Sequence, residues 1–125
     1  MKKTVHTDRA PKAVGPYSQA VSIGNIVFTS GQIPINPDTG KLVEGDIKRH
    51  TRQVMENLKA VLEACGTDFS KVIKATIYLD DIKDFAKMNE VYGEYFSSDM
   101  PARSAFEVAS LPLEAKVEIE MIAYL

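Results

Sequence analysis

The sequence predicts an α+β domain, in which a mixed β-sheet carries two helices packed on one face. Two observations lead to this prediction. One segment has the three- and four-residue apolar spacing of an amphipathic helix, and several shorter segments alternate apolar and polar residues as strands do. The predicted element order is β-β-α-β-α-β-β. Because 125 residues provide for only one core, we expect a single domain spanning residues 1–125.

The first third of the chain is predicted to form short strands separated by turns. Residues 21–23 and 26–29 are rich in β-branched and aromatic side chains and flank the turn pair Gly24-Asn25, which predicts a hairpin. Residues 33–40 contain two prolines and end in Gly40. Because proline and glycine punctuate regular structure, this segment is predicted to be a loop.

The strongest local prediction is a helix over residues 46–65. Its apolar stripe consists of Ile47, Thr51, Val54, Leu58, Val61, Leu62 and Cys65. Asp46 is expected to cap the N-terminus, and Gly66 is expected to take the left-handed conformation that ends many helices. Cys65 lies on the apolar stripe, so a role as a small core residue is favoured over one as a nucleophile.

The second half predicts a strand at 72–79, a helix at 82–97 and strands at 102–109 and 116–124. The apolar stripe of this second helix consists of Phe85, Met88, Tyr92, Tyr95 and Phe96. The last strand alternates strictly, with its glutamates on one face. One possible connection of the last two strands is a hairpin around residues 110–115. With both helices on one face of the sheet, the other face must be solvated or buried against another subunit.

Composition excludes several classes of protein. The 15 Lys and Arg residues against 17 Asp and Glu give a net charge of −2, which argues against nucleic-acid binding. No apolar run approaches the roughly 20 residues that cross a membrane, and no signal peptide is recognisable. The single cysteine suits the cytoplasm. Neither His6 nor His50 lies in a metal-binding motif, and nucleotide-binding motifs are missing, so we expect no metal and no cofactor.

Charged residues in the last two strands are the first candidates for chemistry. The planar guanidinium of Arg103 suits a carboxylate held by two hydrogen bonds, although pairing with a surface glutamate is the plainer interpretation. Glu118 and Glu120 likewise can simply face water. If the last two strands form this hairpin with Ala109 opposite Lys116, Arg103 and Glu118 lie on the same side of the sheet, although four residues out of step. A one-residue shift in register would remove the shared face.

Two further residues stand near turns. Tyr17 follows Gly15-Pro16, where its phenol either caps a ligand pocket or anchors the turn, and the sequence leaves both open. Ser30 precedes Gly31, but no base lies near it in the sequence. A structural or binding role for this hydroxyl is therefore favoured over that of a covalent nucleophile.

Several motifs in order along the chain carry a family resemblance. They occupy residues 15–20 (GPYSQA), 30–34 (SGQIP), 57–60 (NLKA), 88–92 (MNEVY), 101–104 (PARS), 107–109 (EVA), 111–112 (LP) and 117–120 (VEIE). Together they resemble the RidA (YjgF/YER057c/UK114) family over essentially the full length. The resemblance implies a chorismate-mutase-like fold assembled as a homotrimer, with sheets packed at the centre and three clefts between subunits.

The resemblance also implies an activity that needs no cofactor. It is the hydrolysis of reactive 2-imino and enamine acids, such as 2-iminobutanoate and 2-iminopropanoate, to 2-keto acids and ammonia. Pyridoxal-phosphate dehydratases release such substrates. Alternatives within the family are a non-catalytic module that binds small carboxylates and a chaperone-like or translation-inhibiting protein; cleavage of RNA is disfavoured by the acidic balance.

The resemblance assigns site residues by position. Arg103 would hold the substrate carboxylate and Glu118 would position or activate the attacking water. The substrate-binding residues would be Tyr17, Ser30, Gly31, Asn89 and Ala105, the last through its backbone. Many members carry cysteine where this chain has Ala105, so a thiol role is lost here, and Phe106 is bulkier than the usual aliphatic residue.

Overall fold

The computed structural model describes all 125 residues and contains eight β-strands and two α-helices. In chain order they are β1 (Lys3–Val5), β2 (Ala20–Ile23), β3 (Ile26–Thr29), β4 (Ile35–Asn36), β5 (Lys41–Leu42), α1 (Ile47–Cys65), β6 (Val72–Leu79), α2 (Phe85–Gly93), β7 (Ala102–Glu107) and β8 (Val117–Tyr124). Six of these strands form one sheet in the order β1-β2-β3-β8-β6-β7. Only β6 and β7 pair in parallel, so the sheet is mixed as predicted.

The hairpin at Gly24-Asn25 is confirmed, because β2 and β3 pair in antiparallel fashion with Ile23 opposite Ile26. Gly24 has a φ of 56°, a conformation that glycine adopts without the steric cost of a side chain. The predicted loop at 33–40 is only partly a loop. Two of its residues form β4, which pairs with β5 as a separate two-stranded ladder.

Helix α1 has the boundaries that the sequence predicts. The Asp46 side chain accepts a hydrogen bond from the Arg49 N–H at 3.0 Å, and Gly66 ends the helix with a φ of 87°. The apolar stripe is buried against the sheet, and Cys65 is half-buried at its end. Burial raises the pKa of the Cys65 thiol, as expected for a structural residue. Neither helix is both long and apolar enough to span a membrane.

The second helix is shorter than predicted. A 3-10 turn covers Ile82–Asp84 and the α-helix ends at Gly93, whereas the prediction extended to residue 97. Beyond Gly93 the chain continues in turns, with the Phe96 N–H bonded to the Gly93 carbonyl at 3.2 Å. These turns keep a spacing close to helical. The predicted apolar stripe therefore still packs on the core, where Met88, Tyr92 and Phe96 are buried.

The last two strands do not form the hairpin considered from the sequence. Strand β7 lies at the edge of the sheet and pairs only with β6, whereas β8 lies between β3 and β6. The connection from β6 through α2 to β7 is the crossover that parallel strands require. Strand β8 buries Val117, Ile119, Met121 and Ala123, which suits a central position, whereas most of β7 is exposed.

Both helices cover the same face of the sheet, as predicted. The buried side chains of β8 and those of Ala75, Ile77 and Leu79 in β6 form the core beneath them. The opposite face, which we call the open face, has no helix over it. Its exposed apolar residues include Ile23, Phe28, Phe106 and Tyr124.

Candidate functional site

The candidate residues fall into two separate groups. Tyr17, Ser30, Gly31 and Glu118 line a cleft of about 690 Å³, which we call the Glu118 cleft. Asn89 and Arg103 line a shallow pocket elsewhere on the surface, which we call the Arg103 patch. The sequence assigned these residues to one site, whereas the structure of a single chain distributes them between two.

The Glu118 cleft is built by pairing between the segment after β3 and strand β8. Gln32 and Ile119 exchange two backbone hydrogen bonds, of 2.9 Å and 3.2 Å. This pairing places Gly31 directly against the Glu118 side chain. A Cβ on residue 31 would overlap Oε2 of Glu118 and lie 2.8 Å from its Cδ. The glycine is therefore required by space, because its missing side chain is where the carboxylate lies.

Ser30 is held by its own hydrogen bonds. Its Oγ donates to the Ser18 carbonyl at 2.5 Å, and its N–H donates to the Gln19 carbonyl at 2.9 Å. Because a backbone carbonyl is a poor proton acceptor, the hydroxyl is not activated as a nucleophile. The Tyr17 hydroxyl accepts a hydrogen bond of 3.4 Å from the Val14 N–H while the side chain remains half exposed. Tyr17 thus anchors the turn and lines the cleft.

Three buried polar residues that the sequence analysis missed support this cleft. The Gln19 amide donates to the carbonyls of Thr7 and Pro11, at 3.0 and 2.8 Å, and fixes the N-terminal segment. The Asn57 amide donates to the carbonyls of Ile33 and Ile35, at 3.2 and 2.9 Å, and ties the cleft wall to α1. Both residues belong to segments that carry the family resemblance, 15–20 and 57–60, but the sequence assigned neither of them a supporting role.

The third such residue is His50. Its Nε2 donates to the Val43 carbonyl at 2.9 Å, and its Nδ1 accepts from the Lys116 N–H at 3.3 Å, two residues before Glu118. Burial lowers the pKa of His50, which favours the neutral ring that these two bonds require. The other histidine, His6, is exposed and lies 3.2 Å from Asp8. No group of three or more His, Cys, Asp or Glu side chains is placed to hold a metal ion.

The carboxyl group of Glu118 is prepared for proton transfer by its surroundings. Burial raises its pKa, and the nearby charge of Glu120 raises it further. Glu120 lines the same cleft and accepts a 2.6 Å hydrogen bond from the Tyr78 hydroxyl, which raises the pKa of Tyr78 to about 12. Tyr78 therefore stays protonated and remains a donor to Glu120.

In the Arg103 patch the guanidinium group is held by an amide and two aromatic rings. Nη1 of Arg103 donates to Oδ1 of Asn89 at 2.7 Å, and its guanidinium carbon lies 5.2 Å from the ring centroids of both Phe85 and Tyr92. No carboxylate lies within ion-pair distance. The alternative of a surface ion pair is thus not what the chain forms, and the positive charge is available to an anion. From the sequence, Phe85 and Tyr92 were placed only on the apolar stripe of the second helix.

The two groups lie on opposite faces of the sheet. In the register of the strands Arg103 is next to Ala75, which is next to Met121, and these positions face the helices. Glu118 is opposite Tyr78 on the open face. Ala105 is next to Ile77 and so shares the face of Arg103. The expectation that Arg103 and Glu118 lie on the same side is therefore wrong within one chain, because it depended on the hairpin that does not form.

Comparison with known proteins adds the family. The model described as Endoribonuclease L-PSP matches residues 7–125. A RutC family protein of Pyrococcus horikoshii is 59% identical over 124 residues, which cover 99% of this chain and 98% of that protein. The 2-iminobutanoate/2-iminopropanoate deaminase of Mus musculus is 44% identical over 123 residues, which cover 98% of this chain and 91% of the mouse protein.

A solved structure agrees along nearly the whole chain. The crystal structure of E. coli TdcF with bound serine matches with a TM-score of 0.94 at 44% identity and covers 98% of both chains. The family model, the relatives and this fold all extend over the segments that carry the motifs. The chain belongs to the RidA (YjgF/YER057c/UK114) family.

Proposed function

We propose that this protein hydrolyses 2-imino and enamine acids, such as 2-iminobutanoate and 2-iminopropanoate, to 2-keto acids and ammonia. The observation that carries the proposal is that the two groups of residues offer complementary functional groups for a 2-imino acid. One offers an unpaired guanidinium for a carboxylate, and the other offers a carboxyl group of raised pKa for proton transfer. The names of relatives support it, since the mouse relative is named as this deaminase and TdcF was crystallised with serine, a small amino acid.

The proposed reaction follows from the electrophilic carbon of the imine. Arg103 holds the substrate carboxylate. Glu118 accepts a proton from a water molecule while the oxygen of that water forms a bond to the imine carbon. The imine nitrogen takes up a proton from solvent as the C=N π bond opens, which gives a carbinolamine. The carbinolamine hydroxyl then loses its proton to solvent while Glu118 returns its own proton to the nitrogen, so that the C–N bond breaks, ammonia leaves and the keto group remains. Because the substrate is already activated, this route needs no cofactor.

The size of the substrate requires that both groups meet. The carboxylate carbon and the imine carbon of a 2-imino acid are directly bonded, so Arg103 and Glu118 must both reach one small molecule. On opposite faces of one sheet they cannot do so within a chain. We therefore place the working site in a cleft between subunits of a homotrimer, where the Glu118 cleft of one chain meets the Arg103 patch of the next.

The open face fits such an assembly. Phe28 is 45% exposed and Ile23 is 51% exposed on a face without a helix, and burial of such a patch favours association. Burying the open faces together would place apolar side chains at the centre of the trimer.

We expect the protein to act in the cytoplasm, because its single cysteine, Cys65, suits a reducing compartment.

The family model carries the name of a ribonuclease, yet the positions of the histidines favour the deaminase. Many metal-free ribonucleases depend on histidine as acid and base. Here His50 is buried with both ring nitrogens engaged, and His6 lies outside the Glu118 cleft. The proposed site therefore contains no histidine acid–base pair for cleaving RNA.

The activity is tested by making 2-iminobutanoate in situ from threonine with a dehydratase, in the presence of semicarbazide. A deaminase lowers semicarbazone formation because it consumes the imine first. We expect the wild-type protein to do so and Glu118→Gln to have lost most of this effect. A wild-type protein that gives the same semicarbazone yield as buffer would contradict the proposal and favour a non-catalytic binder of carboxylates.

The shared cleft is tested by complementation. Arg103→Ala and Glu118→Gln are co-expressed with different tags, and mixed oligomers are purified through both tags. In a cyclic trimer of either composition about one cleft in three then combines an intact Arg103 with an intact Glu118, so activity should return to about a third of wild type. Mixed oligomers as inactive as each variant alone would contradict a site between chains.

A further inference from the structure

The Glu118 cleft is lined by both polar and apolar residues. Its polar groups include those of Ser30, Gly31, Glu118 and Glu120, and its apolar lining residues are Val14, Tyr17, Ile33, Ile35 and Leu113. A 2-imino acid likewise combines a polar end, with a carboxylate and an imine, and an alkyl group. The polar groups account for the reacting end, and the apolar residues are available to the alkyl group.

Leu113 differs from the other apolar residues because its backbone is strained. It has a φ of 56°, and Glu114 after it has a φ of 59°. Only one other residue besides glycine has a positive φ, namely Asp99, and aspartate tolerates this conformation far better than leucine does. A turn between Leu111 and Ala115 holds the pair, with the Ala115 N–H bonded to the Pro112 carbonyl at 3.1 Å.

The strain is not explained by packing in the core. The Leu113 side chain is 64% exposed, so burial does not compensate for the unfavourable backbone. Glycine at this position would remove the strain and would lose only the contacts of the smaller, covered part of the Leu113 side chain. Backbone strain that is retained at the lining of a cleft supports a functional role for the strained residue. Leu113 lines the Glu118 cleft.

We propose that Leu113 determines specificity by contacting the alkyl group of the substrate, so that the protein prefers imino acids with larger aliphatic side chains over those with a methyl group. The inference rests on the proposed function of the same cleft. Its physical basis is that each additional methylene group that finds an apolar contact favours the larger substrate by roughly tenfold or more. The backbone strain is retained because a side chain is needed at this position.

The test compares two substrates across three variants. An amino-acid oxidase generates 2-iminopropanoate from alanine and 2-imino-4-methylpentanoate from leucine, and kcat/KM is measured for each. In Leu113→Ala and Leu113→Gly we expect the ratio that favours the larger imine to fall about tenfold, with little change for the smaller one. The control is Ile82→Ala, which removes a similarly exposed aliphatic side chain outside the cleft and should leave the ratio unchanged.

Thermal unfolding tests the strain separately. Leu113→Gly should melt at a higher temperature than Leu113→Ala, because only glycine relieves the left-handed backbone. Equal melting temperatures would overturn this premise. An unchanged substrate ratio, or a parallel loss on both substrates together with loss of the oligomer, would overturn the proposal while the proposed function stands. A wild-type protein inactive on both imines would overturn the proposed function and this inference with it.

Discussion

The Glu118 cleft and the Arg103 patch differ in what holds their functional groups. In the cleft, Gly31 and Glu118 are brought together by backbone hydrogen bonds between Gln32 and Ile119, and Ser30 is held by two further bonds to backbone carbonyls. In the patch, Arg103 lies on an edge strand and is held only through side chains. The functional groups of the cleft are therefore positioned by the backbone of a single chain, whereas Arg103 lies exposed at the edge of the sheet.

The two regions also differ in charge and burial. Glu118 is half-buried with a second carboxylate nearby, and burial together with that charge raises its pKa. Arg103 is exposed and has an amide rather than a carboxylate as its partner. The Arg103 patch has no carboxylate among its lining residues, whereas the Glu118 cleft contains two carboxylates and a single cation, Lys12. This complementarity is what a cleft between two chains would use, and the following variants are designed to separate the two contributions.

The largest effect is expected for Arg103→Ala. Losing a partly desolvated contact between an arginine and a carboxylate costs on the order of 2–5 kcal/mol, so kcat/KM for 2-iminobutanoate should fall by about thirty-fold to several-thousand-fold. The matched control is Arg52→Ala. Arg52 also donates a hydrogen bond to a side-chain oxygen, Oε1 of Glu94 at 2.9 Å, and its guanidinium carbon lies 5.7 Å from the ring centroid of Tyr95. It lies outside both regions. Equal losses in the two variants would contradict a special role for Arg103.

A smaller effect is expected for Gly31→Ala. The new methyl group would displace the Glu118 carboxylate, since its Cβ would overlap Oε2. We expect kcat/KM to fall by about 10- to 100-fold, because misplacing a catalytic group by an ångström has effects of that order. Gly40→Ala is a stringent control outside both regions, because residue 40 has open space around it but a φ of 72°, so this variant carries a backbone strain that Gly31→Ala does not. If Gly31→Ala keeps full activity, the close contact with Glu118 is not needed for catalysis.

The smallest effect is expected for Glu120→Gln and concerns pH. Catalysis requires the ionised form of Glu118, so activity should fall as pH decreases through its raised pKa. Removing the charge of Glu120 removes one cause of the raised pKa, so this acidic limb should move to lower pH. Glu56→Gln is the control, because Glu56 also accepts a hydrogen bond from a tyrosine, Tyr95 at 2.7 Å, outside the cleft. Identical acidic limbs in all three proteins would show that Glu120 does not influence Glu118.

Features that depend on neighbouring residues were predictable from the sequence. Helix α1 with its Asp46 cap and Gly66 end, the turn at Gly24, and the alternation of β8 are all present in the structure. Each of these depends on contacts or conformations within a few residues, so the pattern in the chain contains the needed information. The family resemblance likewise depended on short motifs.

Features that depend on distant partners were not predictable in the same way. The patterns of β7 and β8 predict two strands. They do not predict that β7 pairs with β6 at the edge of the sheet while β8 lies between β3 and β6. Strand pairing is decided by total burial across the sheet. One signal was available: the segment ARSAFE is more polar than VEIEMIAY, which is typical of an edge strand.

The sequence by itself determined the fold class, the position of the main helix and the residue types available for chemistry, because local periodicity and motifs carry that information. Only the tertiary structure decided which of those residues meet. It placed Gly31 against Glu118 and separated both from Arg103 by the thickness of a sheet. The physical reason is that strand order assigns each side chain to a face, and strand order results from burying the whole core at once.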